Sequence, residues 1–352
     1  MRKRAAAIAG VVLAFGLTAV AAIALWPGQG DEDTSAETPG AVPASSGASL
    51  DNAAADEPVE PSGADAVPAA ELEAYEVEAA PSPLPVQVEI KKPPAAGLLF
   101  DVDSGEVLWA RRPAAELPIA SLTKMMTALL ISERHGPAEL VSISPKAAGV
   151  EGSQIGALLA GKRVPLRGVF LGLIMASGND AAVALAEHDA GTIPAFVRRM
   201  NARAGQMGLD CTRFAGPAGL QDTGNHSCAY DLAELARADL GDPWVSSVTA
   251  RRYATVPFPI KGGKLHLANN HYFVQRGVAG IPKARVTGVK TGLTNGAGRC
   301  YVTTARLGQT HLGVVLLDST DPLGEVPRLL RAGFEVSGEQ VPPLPERNRA
   351  AG

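Results

Sequence analysis

Three short groupings of hydroxyls, amines and a carboxamide stand out along the chain. Ser121-Leu122-Thr123-Lys124 sets a serine and a lysine three apart, so on a helix the amine reaches the hydroxyl. Ser121 falls at the helix start, where unpaired backbone N–H groups and the dipole favour developing negative charge. A serine hydroxyl is a poor nucleophile until a base removes its proton. A lysine can be that base when desolvation or a neighbouring cation lowers its pKa. Ser177-Gly178-Asn179 offers a second hydroxyl to relay protons and a carboxamide to hold a substrate amide. Lys290-Thr291-Gly292 follows a strand-like run at 286–289; its cation and hydroxyl suit a substrate carboxylate, and its glycine permits close backbone approach.

Each grouping also has a plain structural reading: a helix cap at Ser121, a turn and cap at 177–179, a β-turn after a strand at 290–292. By chance, a Ser-x-x-Lys string arises roughly once in two or three chains of this length. Competing chemistries have less to stand on. Among six histidines and three cysteines there is no His-Glu-x-x-His, no paired Cys-x-x-Cys, no Gly-x-Gly-x-x-Gly and no phosphate-binding loop. No Gly-x-Ser-x-Gly accompanies the histidines, which leaves a Ser-His-Asp hydrolase without support. His226 reads as a loop hydrogen-bonder and Cys300 as a buried thiol; Cys211 and Cys228, 17 apart around the 216–225 loop, could pair in an oxidising compartment.

The elements that must position these groups begin near Ala96. Apolar runs at 97–100 and 106–109 flank Asp103-Ser104-Gly105, a hairpin signal. Leu122, Met125, Met126, Leu129 and Leu130 recur at helical spacing behind Ser121. Further helical stretches are expected over 169–176, 180–190, 193–207 and 230–240. Strands are expected over 286–289, 299–305 and 311–317, and a last helix over 323–334. Strands at both ends with helices between them imply an α+β body, its sheet built from the two ends and packed on a helical layer.

Ahead of the body, Arg2, Lys3 and Arg4 precede an uncharged run from residue 5 to Trp26. As a helix it spans about 33 Å, enough for a hydrocarbon core of ~30 Å, and the basic cluster before it predicts a cytoplasmic N-terminus with the body outside. A cleaved signal peptide is the alternative, since Ala19-Val20-Ala21 has the form of a processing site. From Pro27 to Pro94 there are 14 acidic residues, 11 prolines and only Lys91 and Lys92 as cations, the composition of a disordered linker over 27–95. Beyond Pro94 lie 27 basic and 22 acidic residues, too weak a positive balance for a nucleic-acid binder. The expected organisation is an anchor or signal at 1–26, the linker, a catalytic body at 96–336 and a flexible tail at 337–352.

Taken together, one Ser-x-x-Lys, one Ser-x-Asn and one Lys-Thr-Gly in that order, 56 and 113 residues apart, make the signature of penicillin-binding proteins and class A β-lactamases. The flanks at 97–130, 168–191 and 289–305 resemble the serine-type D-alanyl-D-alanine carboxypeptidases, the low-molecular-mass penicillin-binding proteins of bacterial cell walls. The resemblance implies an antiparallel sheet with helices packed around it and a helical subdomain. It also implies roles: Ser121 as the acylated nucleophile, Lys124 as its base, Ser177 and Asn179 in proton relay and substrate contact. Lys290, Thr291 and Gly292 would grip the terminal carboxylate, and the N–H groups of Ser121 and Leu293 would form the oxyanion hole. The implied partners are the peptidoglycan stem peptide, β-lactams as covalent inhibitors and the membrane through the N-terminal segment. No cofactor or metal is implied. Two positions depart from the pattern. Gly216 stands where relatives commonly have asparagine before Pro217-Ala218-Gly219-Leu220, and the chain ends without a second β-rich domain, so anchoring would fall to the N-terminal segment. A β-lactamase on the same architecture would need a Glu-x-x-Leu-Asn loop between the second and third motifs, and no such string occurs there. A non-catalytic wall- or β-lactam-binding module is the remaining alternative.

Overall fold

The computed structural model describes residues 83–220 and 223–343. The expected anchor or signal, most of the linker and the end of the tail lie outside them. Among the described residues no helix is long and apolar enough to cross a membrane.

Five antiparallel strands form the central sheet. The first hairpin is β1 (Ala96–Asp101) and β2 (Val107–Arg111). A separate hairpin follows late in the chain, β3 (Tyr253–Pro257) and β4 (Lys264–Ala268). The remaining sheet strands are β5 (Arg285–Thr294), β6 (Gly298–Leu307) and β7 (Thr310–Leu317). The spatial order is β2-β1-β7-β6-β5, so the two ends of the body meet where β1 pairs with β7, Leu98 opposite Val315. β5 is left at the edge.

Strand alternation divides the core in two. Leu98 and Phe100 of β1, with Val315 and Leu317 of β7, face the helical layer; Leu99, Leu312, Val314 and Leu316 face the other way. The helical layer contains α1 (Lys124–Arg134), α2 (Leu166–Met175), α3 (Asn179–Ala190), α4 (Ile193–Gln206), α5 (Ala229–Gly241) and α6 (Pro243–Thr249). α1 is buried on every side from Lys124 to Ile131, and α2 and the alanine-rich α3 are nearly as enclosed. Such all-round burial is what an all-apolar helix requires. The opposite face is covered by α7 (Pro322–Val336), whose Val326, Leu329, Leu330 and Phe334 form one stripe at helical spacing. Asp321 caps it by accepting from Gly324 N.

The ordered body starts earlier than Ala96. Val86 is buried against that second core and donates its backbone N–H to Leu108 O at 3.0 Å, adding an extended segment beside β2. Leu84, Val86, Val88 and Ile90 alternate at strand spacing, and Val88 and Ile90 are partly buried against the same core, a short signal inside an otherwise acidic, proline-rich stretch. The β3–β4 hairpin and α6 were also not foreseen. In the hairpin Ala254, Val256, Leu265 and Leu267 alternate inward around the Gly262-Gly263 turn, short runs easily lost among charged neighbours.

Candidate active site

Ser121 sits in a single 3-10 turn (Ala120–Thr123) that runs straight into α1. The turn is entered through Ala120, which holds a left-handed φ of 47°, a backbone strain that surrounding structure must enforce. Two contacts enforce it. Gly219, itself at φ 73°, lies so close that a Cβ there would come within 1.9 Å of Ala120 O. Gly292 of β5 abuts the other side, where a Cβ would meet Ile119 O at 2.9 Å and Ser121 N at 3.0 Å. The glycine of the third motif therefore lets the edge strand close on the backbone N–H of Ser121.

Lys124 opens α1 and is almost wholly buried. Its Nζ donates to Ser121 Oγ (2.9 Å), to Asn179 Oδ1 (2.9 Å) and to Ala218 O (2.7 Å). Burial, and next the charge of Lys290, push its pKa well below the ordinary lysine value, while Asp180 pulls the other way. A neutral amine has two hydrogens and one lone pair. Asn179 and Ala218 can take the hydrogens, and the lone pair then faces the Ser121 hydroxyl. That arrangement would let Nζ accept the Ser121 proton.

Asn179 is the first residue of α3, and its carboxamide is held at both ends: Oδ1 by Lys124 and Nδ2 by Glu151 O at 2.8 Å. Its neighbour Asp180 fixes the preceding loop, taking Ile155 N on both oxygens at 2.9 Å and Gly156 N at 3.3 Å. Burial nonetheless raises the Asp180 pKa, against those N–H groups. Ser177 is buried with a left-handed φ of 55°, and among the described residues it forms no hydrogen bond to Lys124 or Lys290.

Lys290, Thr291, Gly292 and Leu293 lie within β5 rather than in a turn after it. They pair with Val302, Tyr301, Cys300 and Arg299 of β6. The strand is longer than its apolar run because pairing with β6 continues through polar residues. Lys290 is buried, donates from Nζ only to Thr291 O at 2.8 Å among the described residues, and is lowered by burial to about 7. Thr291 is half-buried and Leu293 is exposed. Behind Lys290, the buried His271 is depressed to about 4, chiefly by burial.

Sequence reasoning missed the role of the 216–220 loop. Gly216 lacks a carboxamide, yet the loop acts through backbone carbonyls: Ala218 O takes Lys124, and Pro217 O takes Thr127 Oγ1 at 2.8 Å. Asn225 then reaches Thr123, donating from Nδ2 to Oγ1 at 2.9 Å. Carbonyl acceptors carry no residue-type signature, although Gly219 was the available hint. The pairing left open for Cys211 and Cys228 is formed as a disulfide, with Cα atoms 5.6 Å apart, at the base of this region. His226 lies beside Glu116, and Cys300 is a buried thiol outside the disulfide that donates to Ala297 O at 3.4 Å. Among the described residues, neither grouping of His, Cys, Asp and Glu close enough to share a metal ion includes a member of this site.

Residues 86–321 match peptidase family S11, described as D-alanyl-D-alanine carboxypeptidase. A D-alanyl-D-alanine carboxypeptidase of Bacillus subtilis is 32% identical over 262 residues, covering 72% of this chain and 65% of that protein. A D-alanyl-D-alanine endopeptidase of Pseudomonas aeruginosa is 32% identical over 247 residues, covering 69% and 77%. The chain thus spans just under two thirds of the Bacillus relative's length and about three quarters of the Pseudomonas relative's. The solved D-alanyl-D-alanine carboxypeptidase of Mycobacterium tuberculosis has the same fold at a TM-score of 0.65 and 28% identity, covering 73% of this chain and 96% of that one.

Proposed function

The chain belongs to the D-alanyl-D-alanine carboxypeptidase family, and on that premise we propose that it is a serine D,D-carboxypeptidase acting on D-Ala-D-Ala stem peptides of peptidoglycan. The observation that carries the reading is the buried Lys124 amine, 2.9 Å from Ser121 Oγ and pinned by Asn179 and Ala218.

Ser121 Oγ attacks the carbonyl carbon of the penultimate D-alanine while its proton passes to Lys124 Nζ. The oxyanion is received by the N–H groups of Ser121 and Leu293, which Gly292 brings onto one wall. Collapse breaks the amide bond; the leaving amine takes the proton from Lys124, with Ser177 as relay, and D-alanine departs. Water then hydrolyses the ester on Ser121. Lys290 and Thr291 hold the terminal carboxylate, and Asn179 positions the substrate amide. A β-lactam carbonyl meets the same hydroxyl and acylates it.

The β-lactamase alternative needs a carboxylate free to activate the deacylating water. Asp180, the acid whose charge is felt by Lys124, has its oxygens committed to Ile155 and Gly156 N–H groups. The N-terminal segment is proposed to hold the body outside the cytoplasm, tethered to the membrane through the acidic linker; a mature N-terminus near Ala22 would instead indicate cleavage.

The test uses the purified chain with a labelled penicillin, followed by intact mass over time, alongside release of D-alanine from a D-Ala-D-Ala peptide. A persistent adduct on Ser121 together with released D-alanine is expected. An adduct lost within seconds with no D-alanine released would favour the β-lactamase, and a folded protein that forms no adduct would favour a binding module.

A further inference from the structure

At the ends of α1 and α3 remote from the acylation site, three potential ligand atoms converge. His135 follows the last residue of α1, Glu139 lies four residues on, and His188 is in the last turn of α3. Glu139 Oε2 is 3.0 Å from His135 Nδ1 and 3.0 Å from His188 Nε2. All three ligand atoms lie within 4.8 Å of one another. The other oxygen, Glu139 Oε1, accepts Gly136 N at 2.6 Å, so the carboxylate is already oriented.

An independent feature backs the trio. His135 Nε2, the nitrogen turned away from the cluster, is 3.0 Å from Asp189 Oδ1. The Asp189 side chain is fully buried and fixed by Arg134 Nε at 2.8 Å and Arg199 Nη1 at 2.6 Å. Metal-bound histidines almost always give their second ring N–H to a carboxylate, a backbone carbonyl or water, which sets the tautomer and the ring plane, and Asp189 is such an acceptor. The two histidine side chains are 16% and 20% exposed and Glu139 is 41% exposed, so the cluster opens to solvent on one side.

We propose that His135, Glu139 and His188 bind a zinc ion, with water as the fourth ligand. Tetrahedral Zn²⁺ with bonds of ~2.0–2.1 Å separates its ligand atoms by roughly 3.3–3.4 Å. The two 3.0 Å spacings therefore need to open by a few tenths of an ångström, while the spacing between His135 Nδ1 and His188 Nε2, at most 4.8 Å, must close toward the same value. Two imidazoles and one carboxylate select borderline transition metals over Mg²⁺ and Ca²⁺, which prefer all-oxygen shells. The other grouping of this kind, Cys211, Cys228 and Asp231, has both sulfurs consumed in the disulfide. The zinc would clamp the far ends of the two helices whose first residues are Lys124 and Asn179, ~16 Å along α1 and ~14 Å along α3 from the reacting groups. Its role there is to hold the two helices in register.

The full purified chain, stripped with a chelator, is titrated with Zn²⁺ by calorimetry and melted with and without the ion. One zinc per chain and a rise in Tm are expected, with no rise from Mg²⁺ or Ca²⁺. His188→Gln and Glu139→Gln, both at partly exposed positions, should each weaken binding by at least ~10-fold. Co²⁺ should give the visible absorption of a four-coordinate site in the parent and lose it in His188→Gln. A folded parent that shows neither heat nor a Tm rise with Zn²⁺ overturns the proposal, as does equal affinity in parent and variants.

Discussion

Two lysines lie in the site, both buried, and they are held in opposite ways. Lys124 is held by three partners from three separate segments: the Ser121 turn, the start of α3 and the 216–220 loop. Lys290 has one acceptor, the carbonyl of the next residue in its own strand. A buried ammonium with unmet hydrogen-bonding capacity is costly until an anion arrives. On the proposed mechanism, the contrast separates a group prepared to exchange a proton from one prepared to receive a ligand. It also explains their neighbourhoods: helices and a loop converge on Lys124, whereas Lys290 sits in the edge strand, where one side remains unpaired.

The largest expected effect is at Ser121, the proposed nucleophile. Ser121→Ala should lower D-alanine release by ~10⁴-fold or more and abolish the penicillin adduct in mass spectra. Release at the parent rate would remove Ser121 from the mechanism and with it the meaning of the Lys124 cluster.

Lys124→Ala comes next. Loss of a positioned base should reduce acylation by roughly 10²–10⁴-fold, read as the rate of penicillin labelling, in a chain that circular dichroism shows to be folded. If Lys290→Ala slowed acylation as much and left substrate KM alone, the division of labour between the two lysines would be wrong.

Thr291→Val sharpens the anion side. It should weaken peptides with a free terminal carboxylate by roughly 10-fold, the order of one hydrogen bond to a charged group, and hardly affect amidated peptides. Equal losses on both would take Thr291 off the carboxylate.

The most graded effect is with pH, small near neutrality and growing above it. With Lys290 at about 7, peptide affinity through the carboxylate should fall as pH rises through 7, roughly tenfold per unit above it. Stability moves the other way. Below 7 the amine is charged in both folded and unfolded chains and the desolvation cost is borne in full. Between 7 and the ordinary lysine value of 10.5 the unfolded chain binds a proton that the folded one does not, so stability climbs with pH. Lys124, lowered in the same direction, adds to that slope. Lys290→Met should flatten part of it in chemical denaturation from pH 6 to 10.

Much of this was legible from residue order. The three-residue spacing of Ser121 and Lys124 places both on one helical face, and they meet at 2.9 Å. Short apolar or strand-like runs marked β1, β6 and β7, and helical spacing marked α1, α3, α4 and α7, because each pattern is carried by neighbours a few residues apart. Less was legible at the edges. The third motif was expected after a strand and lies inside one, since β5 is extended by pairing with β6 rather than by its own apolar content.

By itself, the sequence determined the order and chemistry of the three motifs, the faces that bury the sheet and helices, and the α+β class. Those properties rest on residue type and local period. Only the tertiary structure decided that Ala218 O completes the cage around Lys124 across 94 residues, and that Gly219 and Gly292 close on the serine turn. The same holds for His135 and His188, which share one glutamate oxygen although 53 positions separate them. Contacts of this range are set by how helices and strands pack, and backbone carbonyls or distant histidines carry no local pattern to announce them.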